Sequence, residues 1–151
     1  MSNRFRLSSS IRCNYVSYAD PKTNHTYKLP LVHVKLIHGK QAIKSIALVD
    51  SGATTNFLPR ELAEILEMDL NTNARDAIGA GGAFSNIPSR IDKVVLVKGR
   101  DSVYEEFDNL SVFVPVLPDT LPYMVLGRNS IFKRFDIKFV ERQEKIIMKR
   151  H

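Results

Sequence analysis

The sequence predicts a mostly β domain with one or two short helices that closes as a compact, barrel-like fold. Apolar runs rich in Val, Ile and Leu recur along the chain, and turn-forming residues separate them. The one clear helical pattern is short. These runs predict about eight to ten strands. A chain of 151 residues has the size of one domain with a single core.

Two neighbouring runs predict a hairpin in the first half of the chain. Residues 31–37 and 43–49 flank the sequence HGKQ, whose glycine suits a tight connection. Residues 60–68, RELAEILEM, space their apolar side chains on one face and follow Pro59, so a short helix is expected there.

The second half continues in extended segments. DAIGAGGAFSNIP has three glycines within four residues and precedes the strand-like residues 93–97, so we expect a mobile glycine-rich hairpin. Pro115 and Pro118 place the end of the next run at an edge or exit. A buried strand ending at Gly127 should lead into a short helix, and FDIKFV and KIIMKR should form a last hairpin.

The N-terminal segment differs from the rest in composition. Residues 1–26 are polar enough for a flexible extension, which leaves residues 27–151 as the folded domain. The basic N-terminus has no apolar signal core, and no apolar run approaches the roughly 20 residues that span a bilayer. Cys13 is the single cysteine, which excludes an internal disulfide. We therefore expect a cytoplasmic protein with no membrane partner.

The chain is basic, with a net charge of +6 and a pI near 9.5. Lys and Arg are spread along it, and no block of five or more like charges occurs. This distribution favours a solvated basic surface over a nucleic-acid interface. A basic nucleic-acid-binding β domain stays open as an alternative.

The stretch ALVDSGATTNF raises the question of chemistry, because Asp50 ends an apolar run and is followed by Ser51 and Gly52. A catalytic acid, a phosphate-binding turn and an ordinary strand end all fit it locally. The Asp-x-Gly-x-Thr shape is similar to the first phosphate loop of actin-like and sugar-kinase ATPases. Those enzymes need two large domains, for which this chain is too short, and no Walker lysine follows the glycine-rich segment.

Other catalytic chemistries find little support. The four histidines show no helical i, i+4 pair with a glutamate between them, so neither a metal nor another cofactor is expected. Ser51 lacks the glycine two residues earlier and the partnered histidine of a serine nucleophile.

A pair of carboxylates is the remaining possibility. Two aspartates held about 3 Å apart cannot both ionise, so one acts as base toward a water and the other donates a proton to the scissile carbonyl. Asp-Ser-Gly occurs once in the chain. A two-fold homodimer would supply the second Asp50.

Two segments resemble a known family. LVDSGATTNFLP resembles the Asp-Ser/Thr-Gly-Ala signature of aspartic peptidases, and MVLGRNSIF is similar to the Gly-Arg-Asn segment near the end of retropepsins, the single-domain dimeric relatives that include retroviral proteases. The order of hairpin, signature, glycine-rich segment and Leu-Gly-Arg-Asn also fits, over roughly residues 30 to 147. The resemblance implies a closed, barrel-like acid-protease fold and an aspartic endopeptidase that acts on peptides or proteins as a homodimer.

The resemblance also implies roles for residues. Asp50 would be the catalytic carboxylate, Ser51 would brace the two loops across the axis, and Gly52 would leave room for the substrate backbone. Gly127 would pack beneath this loop, and Arg128 and Asn129 would tie the terminal helix to the body. Substrate contacts are expected from the signature alanine, a glycine-rich flap and the approach to the last strand: Ala53, Ile78, Gly79, Ala80, Gly81, Gly82, Pro122 and Met124.

The chain departs from the retroviral pattern in two places. Thr54 stands where those enzymes have an acid that pairs with the helix arginine, so Arg128 needs another partner. Residues 1–26 have no counterpart in the short retroviral enzymes. A catalytically silent retropepsin-fold module for dimerisation or peptide binding is therefore the main alternative.

Overall fold

A computed structural model describes residues 10–71, 75–79, 82–99 and 102–151. These residues are mostly β structure, as predicted, with eleven strands where about eight to ten were expected. The elements are β1 (Ser10–Asn14), β2 (Val16–Ala19), β3 (Thr26–Leu29), β4 (Leu31–His38), β5 (Gln41–Val49), α1 (Arg60–Ile65), β6 (Arg75–Gly79), β7 (Gly82–Lys98), β8 (Ser102–Pro115), β9 (Met124–Leu126), α2 (Ile131–Arg134), β10 (Phe135–Val140) and β11 (Lys145–Arg150).

The described strands form three sheets and no closed barrel. The largest sheet has the order β6-β7-β4-β5-β9, and β8 pairs with β7 outside this path. The predicted barrel closure is not found. Strand β7 is 17 residues long, and its length lets it pair with β6, β4 and β8. Strand β8 therefore branches from the sheet and does not close it. The smaller sheets are β1-β11-β10 and the pair β2-β3.

The predicted first hairpin and first helix are both present. Strands β4 and β5 pair antiparallel from Leu31↔Leu48 to His38↔Gln41, and Gly39 takes the positive φ of 55° that glycine adopts without strain. Helix α1 follows Pro59 as predicted but ends at Ile65, short of the predicted residue 68. The chain leaves the helix through a left-handed residue at position 67, which has a φ of 56°.

The later predicted elements are also found. β6 and β7 pair from Arg75↔Asn86 to Gly79↔Gly82, which gives the strands of the glycine-rich hairpin. Strand β8 ends at Pro115, and β10 and β11 form the last hairpin around a single 3₁₀ turn.

Part of the predicted flexible extension is strand. β1 pairs with β11 in the register Ser10↔Lys149 to Asn14↔Lys145, and β2 pairs with β3. The alternation of exposed and half-buried residues along β1 explains the pairing, since Ile11 and Cys13 face the core. The division of the chain at residue 26 stays a prediction.

One apolar core joins the largest sheet, both helices and β11. The largest side chains that are fully buried in it are Leu36, Leu58, Leu66, Ile91, Leu96, Met124, Leu126, Ile131, Phe135, Ile146 and Met148. Among the residues that the structure describes, no helix has the length and apolar character needed to cross a membrane.

Candidate active site

Asp50 lies at the end of β5, beside the only parallel strand pair of the described sheets. Strands β5 and β9 pair as Ala47↔Met124 through Val49↔Leu126. The Asp50 backbone N–H then donates to the Leu126 carbonyl at 3.1 Å. Because parallel strands reach the same edge together, the loop after β5 and the segment after β9 meet there.

The turn after β5 orients the Asp50 carboxylate. The Gly52 N–H donates to Asp50 Oδ1 at 2.8 Å, and the Ala53 N–H donates to the Asp50 carbonyl at 3.3 Å. Asp50 is half-buried, while Ser51 and Gly52 are exposed. The turn thus holds one carboxylate oxygen by a backbone donor and keeps the loop accessible from solvent.

Gly127 lies directly beneath this loop. A Cβ at Gly127 would overlap the Thr55 carbonyl and lie 2.7 Å from the Ala53 carbonyl oxygen. The Arg128 N–H donates to that Ala53 oxygen at 2.8 Å, and the Asn129 N–H donates to the Thr54 carbonyl at 3.2 Å. The two segments therefore approach too closely for any side chain at position 127.

Asn56 is a buried polar residue that sequence reasoning missed. Its Nδ2 donates to the Ser111 carbonyl at 3.1 Å and to Asn129 Oδ1 at 2.9 Å. Its Oδ1 accepts from the Gly127 N–H at 3.0 Å and from Ser130 Oγ at 2.6 Å. A single amide therefore connects β8, the Asp50 loop and the start of α2. The available sequence signal was an asparagine placed directly before the apolar pair Phe57-Leu58.

Arg128 and Asn129, which were predicted to support the site, take part in the hydrogen bonds between the Asp50 loop and the segment after β9. Asn129 Nδ2 also donates to Thr55 Oγ1 at 3.0 Å. Arg128 contributes its backbone N–H to the loop, while its side chain is exposed. The structure thus brings Asp50, Ala53 and Gly127–Asn129 together. The roles assigned to them stay predictions.

The predicted substrate contacts fall into three groups. Ala53 is half-buried in the Asp50 loop and Pro122 is exposed, so both are accessible. Met124 is fully buried in the core, because β9 pairs beside β5 and turns this side chain inward, and its substrate contact stays a prediction. Ile78, Gly79 and Gly82 lie on the β6-β7 hairpin, and Ala80 and Gly81 lie outside the described residues.

Tyr123 is a second residue that sequence reasoning missed. It precedes β9 and packs edge-on against Tyr18, with ring centroids 5.3 Å apart and an interplanar angle of 88°. Burial is the main cause that raises the pKa of Tyr123, and the nearby Tyr18, Asp50 and Asp20 raise it further. The neutral phenol of Tyr123 is thus favoured.

No cluster of metal ligands occurs in the part of the chain that the structure describes. Across residues 10–71, 75–79, 82–99 and 102–151, no three His, Cys, Asp or Glu side chains come together in a group that could hold a metal ion.

A family model described as aspartyl protease matches residues 34–130, which include the Asp50 loop and the Gly127–Asn129 segment. The chain belongs to the aspartyl protease family. A comparison with curated proteins found no match. A solved structure similar to this family member is a retropepsin-like aspartic protease from Rickettsia conorii, with 22% identity, a TM-score of 0.54 and coverage of 93% of this chain and 92% of that chain. This likeness confirms the predicted retropepsin-like fold, and with the family it supports a protease-type function.

Proposed function

We propose that this member of the aspartyl protease family is an aspartic endopeptidase that acts as a homodimer, with one Asp50 from each subunit. The observation that carries the proposal is the fixed position of Asp50. Its backbone is bound to Leu126 at the parallel strand pair, and its Oδ1 is held by the Gly52 N–H. Preorganised carboxylates of this kind need no movement at the moment of reaction.

The dimer would place two Asp50 carboxylates about 3 Å apart at the symmetry axis, where only one can be ionised. The ionised group removes a proton from a water, and the resulting hydroxide attacks the carbonyl carbon of the peptide. The protonated group donates its proton to the carbonyl oxygen. A proton then passes to the leaving nitrogen, the C–N bond breaks, and the pair again shares one proton. Activity under acidic to mildly acidic conditions follows.

The substrate would be an extended peptide that crosses both subunits and adds strand hydrogen bonds to them. The β6-β7 hairpin would close over it as a flap and exclude water. Apolar positions in the hairpin and around Pro122 favour cleavage between bulky apolar residues.

The test is cleavage of a random peptide library by the wild type and by Asp50→Asn. The amide oxygen of Asn can still accept the Gly52 hydrogen bond, so the variant should fold and keep its melting temperature. We expect the wild type to cleave, a statine-type mimic to inhibit it, and Asp50→Asn to lose at least about a thousandfold in kcat/KM. Equal cleavage by both proteins would contradict the proposal.

Sedimentation of the wild type provides the second arm. We expect a dimer at micromolar concentration, because a monomer leaves Asp50 without its partner. Peptide binding without cleavage by either protein would instead identify a silent peptide-binding module.

A further inference from the structure

The β2-β3 hairpin is attached beside the Asp50 loop. β2 and β3 form a sheet of two strands. An isolated hairpin of this size has marginal stability in water unless it packs against another part of the protein. The chain leaves β3 at Leu29, and the next residue, Pro30, accepts a hydrogen bond at 3.1 Å from the N–H of Val49, the residue before Asp50. The base of the hairpin is thus fixed one residue from the candidate carboxylate.

Tyr18 makes the second attachment of this hairpin. Its ring packs edge-on against Tyr123, the geometry that aromatic pairs prefer. Tyr123 in turn interacts electrostatically with Asp50, which contributes to its raised pKa after burial. The aromatic contact therefore links the hairpin to the segment that precedes β9, the strand that pairs with the end of β5.

A cavity of about 530 Å³ is lined by Tyr18 and by residues of the hairpin, of α1 and of the loop before β9. That volume lies within the range of small-ligand pockets, about 300–1,000 Å³. Its apolar lining comes from the hairpin, the start of α1 and the loop before β9, through Tyr18, Pro21, Pro59, Leu62, Leu121 and Pro122. Pro122 belongs to the substrate contacts predicted from the sequence.

Two of the three carboxylates that line this cavity, those of Asp20 and Glu61, have backbone partners. Glu61 Oε2 accepts from the Asp119 N–H at 2.7 Å, and Asp20 Oδ1 accepts from the Lys22 N–H at 2.8 Å. These bonds shape the two loops, while Lys22 and Asp119 also line the cavity beside its apolar side chains. An apolar occupant fits this lining better than a cationic one.

We propose that the β2-β3 hairpin is a substrate-contacting part of the site and that Tyr18 is a specificity-determining residue, forming the wall of a subsite for one bulky apolar side chain of the peptide. This inference rests on the proposed function. It assigns a role to the N-terminal segment, which has no counterpart in the short retroviral enzymes that the sequence resembles.

The test compares cleavage profiles on a random octapeptide library for the wild type, Tyr18→Ala, Tyr18→Phe and Tyr27→Ala. Tyr27 is the matched control, because it lies opposite Tyr18 in the same hairpin but is exposed and does not line the cavity. We expect the wild type to favour bulky apolar residues at one position. Tyr18→Ala should lower the preference for Phe over Ala there by about tenfold or more, and Tyr18→Phe and Tyr27→Ala should keep it.

Two results would overturn the inference. One is a Tyr18→Ala profile equal to that of the wild type, and the other is an equal change in Tyr27→Ala, which would indicate general loosening of the hairpin. If Tyr18→Ala does not fold, Tyr18→Leu keeps apolar packing on Tyr123 while removing the flat ring. It should shift the preferred residue away from Phe, and an unchanged profile would again overturn the inference.

Binding separates this inference from the proposed function. Calorimetry with two statine-centred peptides, which carry Phe or Ala at the subsite position, needs no turnover. We expect the wild type and Asp50→Asn to prefer the Phe peptide and Tyr18→Ala to bind both alike. This result would support the subsite even if no library peptide were cleaved. Equal binding of the two peptides by the wild type would overturn it.

Discussion

The side-chain oxygen of the buried Asn56 accepts a hydrogen bond from the backbone N–H of Gly127 at 3.0 Å. This bond joins the loop that follows Asp50 to the segment that follows β9, although 71 positions separate the two residues in sequence. The same amide bonds Ser111, Asn129 and Ser130. A fully satisfied buried network of this kind rigidifies its surroundings, so Asn56 is positioned to fix the geometry of the Asp50 loop.

Asn56→Ala is expected to lower the free energy of unfolding by roughly 2–4 kcal/mol, because it removes the partner of the buried Gly127 N–H and a donor to the Ser111 carbonyl. Urea denaturation measures the change. Asn14→Ala is the matched control, since Asn14 is exposed on β1, and it should change stability by less than about 0.5 kcal/mol. Equal losses of stability in both variants would show that the Asn56 hydrogen bonds contribute no more than an exposed asparagine does.

The two glycines of the site should respond differently to alanine. Gly127→Ala places a methyl group against the Ala53 and Thr55 carbonyls, so the loop must move, at a cost of at least about 2 kcal/mol. Gly52→Ala places its methyl group 3.1 Å from Asp50 Oδ1, where a small adjustment suffices. We expect Gly52→Ala to lose less than about 1 kcal/mol but to lower peptidase activity, since the methyl group crowds the carboxylate.

Thermal melting and kcat/KM of both glycine variants check this difference. A Gly127→Ala protein as stable as Gly52→Ala would contradict the close approach of the two segments.

Alkaline pH should destabilise the fold through Tyr104. Burial is the main cause that raises the pKa of Tyr104, and Cys13, whose Sγ lies 3.9 Å from the phenol oxygen, raises it further. The folded state therefore holds this proton more tightly than the unfolded chain. The stabilisation is complete below the ordinary pKa of 10.0 and is lost as pH rises above it.

Urea unfolding of the wild type and Tyr104→Phe at increasing pH measures this effect. The slope of stability against pH above the ordinary tyrosine pKa should be smaller in Tyr104→Phe than in the wild type. It should not vanish, because burial also raises the pKa of Tyr15 and Tyr123. Tyr27→Phe removes an exposed hydroxyl and should keep the wild-type slope. Identical slopes in the wild type and Tyr104→Phe would contradict the prediction.

Local patterns in the sequence predicted most of the secondary structure and the Asp50 loop. Alternating apolar runs and turn residues are short-range signals, so the β4-β5 hairpin, the start of α1 after Pro59 and the last hairpin could be predicted. Barrel closure depends on which strands pair over long distances. Strand β7 pairs with three strands, whereas each strand of a closed sheet has two neighbours. No local sequence pattern shows how many partners a strand will have.

The site residues show the same limit. Met124 is an apolar residue two positions after an exposed proline, and only its pairing beside Ala47 reveals that it points into the core. Asn56 and Tyr123 act through partners more than 50 positions away, including Ser111 and Tyr18. Contacts of that kind have no signature in a single sequence.

The most direct test of the central claim, that each catalytic site needs Asp50 from two subunits, is subunit mixing. Wild type and Asp50→Asn are unfolded together in equal amounts, refolded and assayed for peptide cleavage at constant total protein. Random pairing makes about one quarter of the dimers wild type in both subunits, so activity should fall to about one quarter of that of refolded wild type alone. A fall to about one half, in proportion to the wild-type chains, would mean that each subunit works by itself and would contradict the shared site.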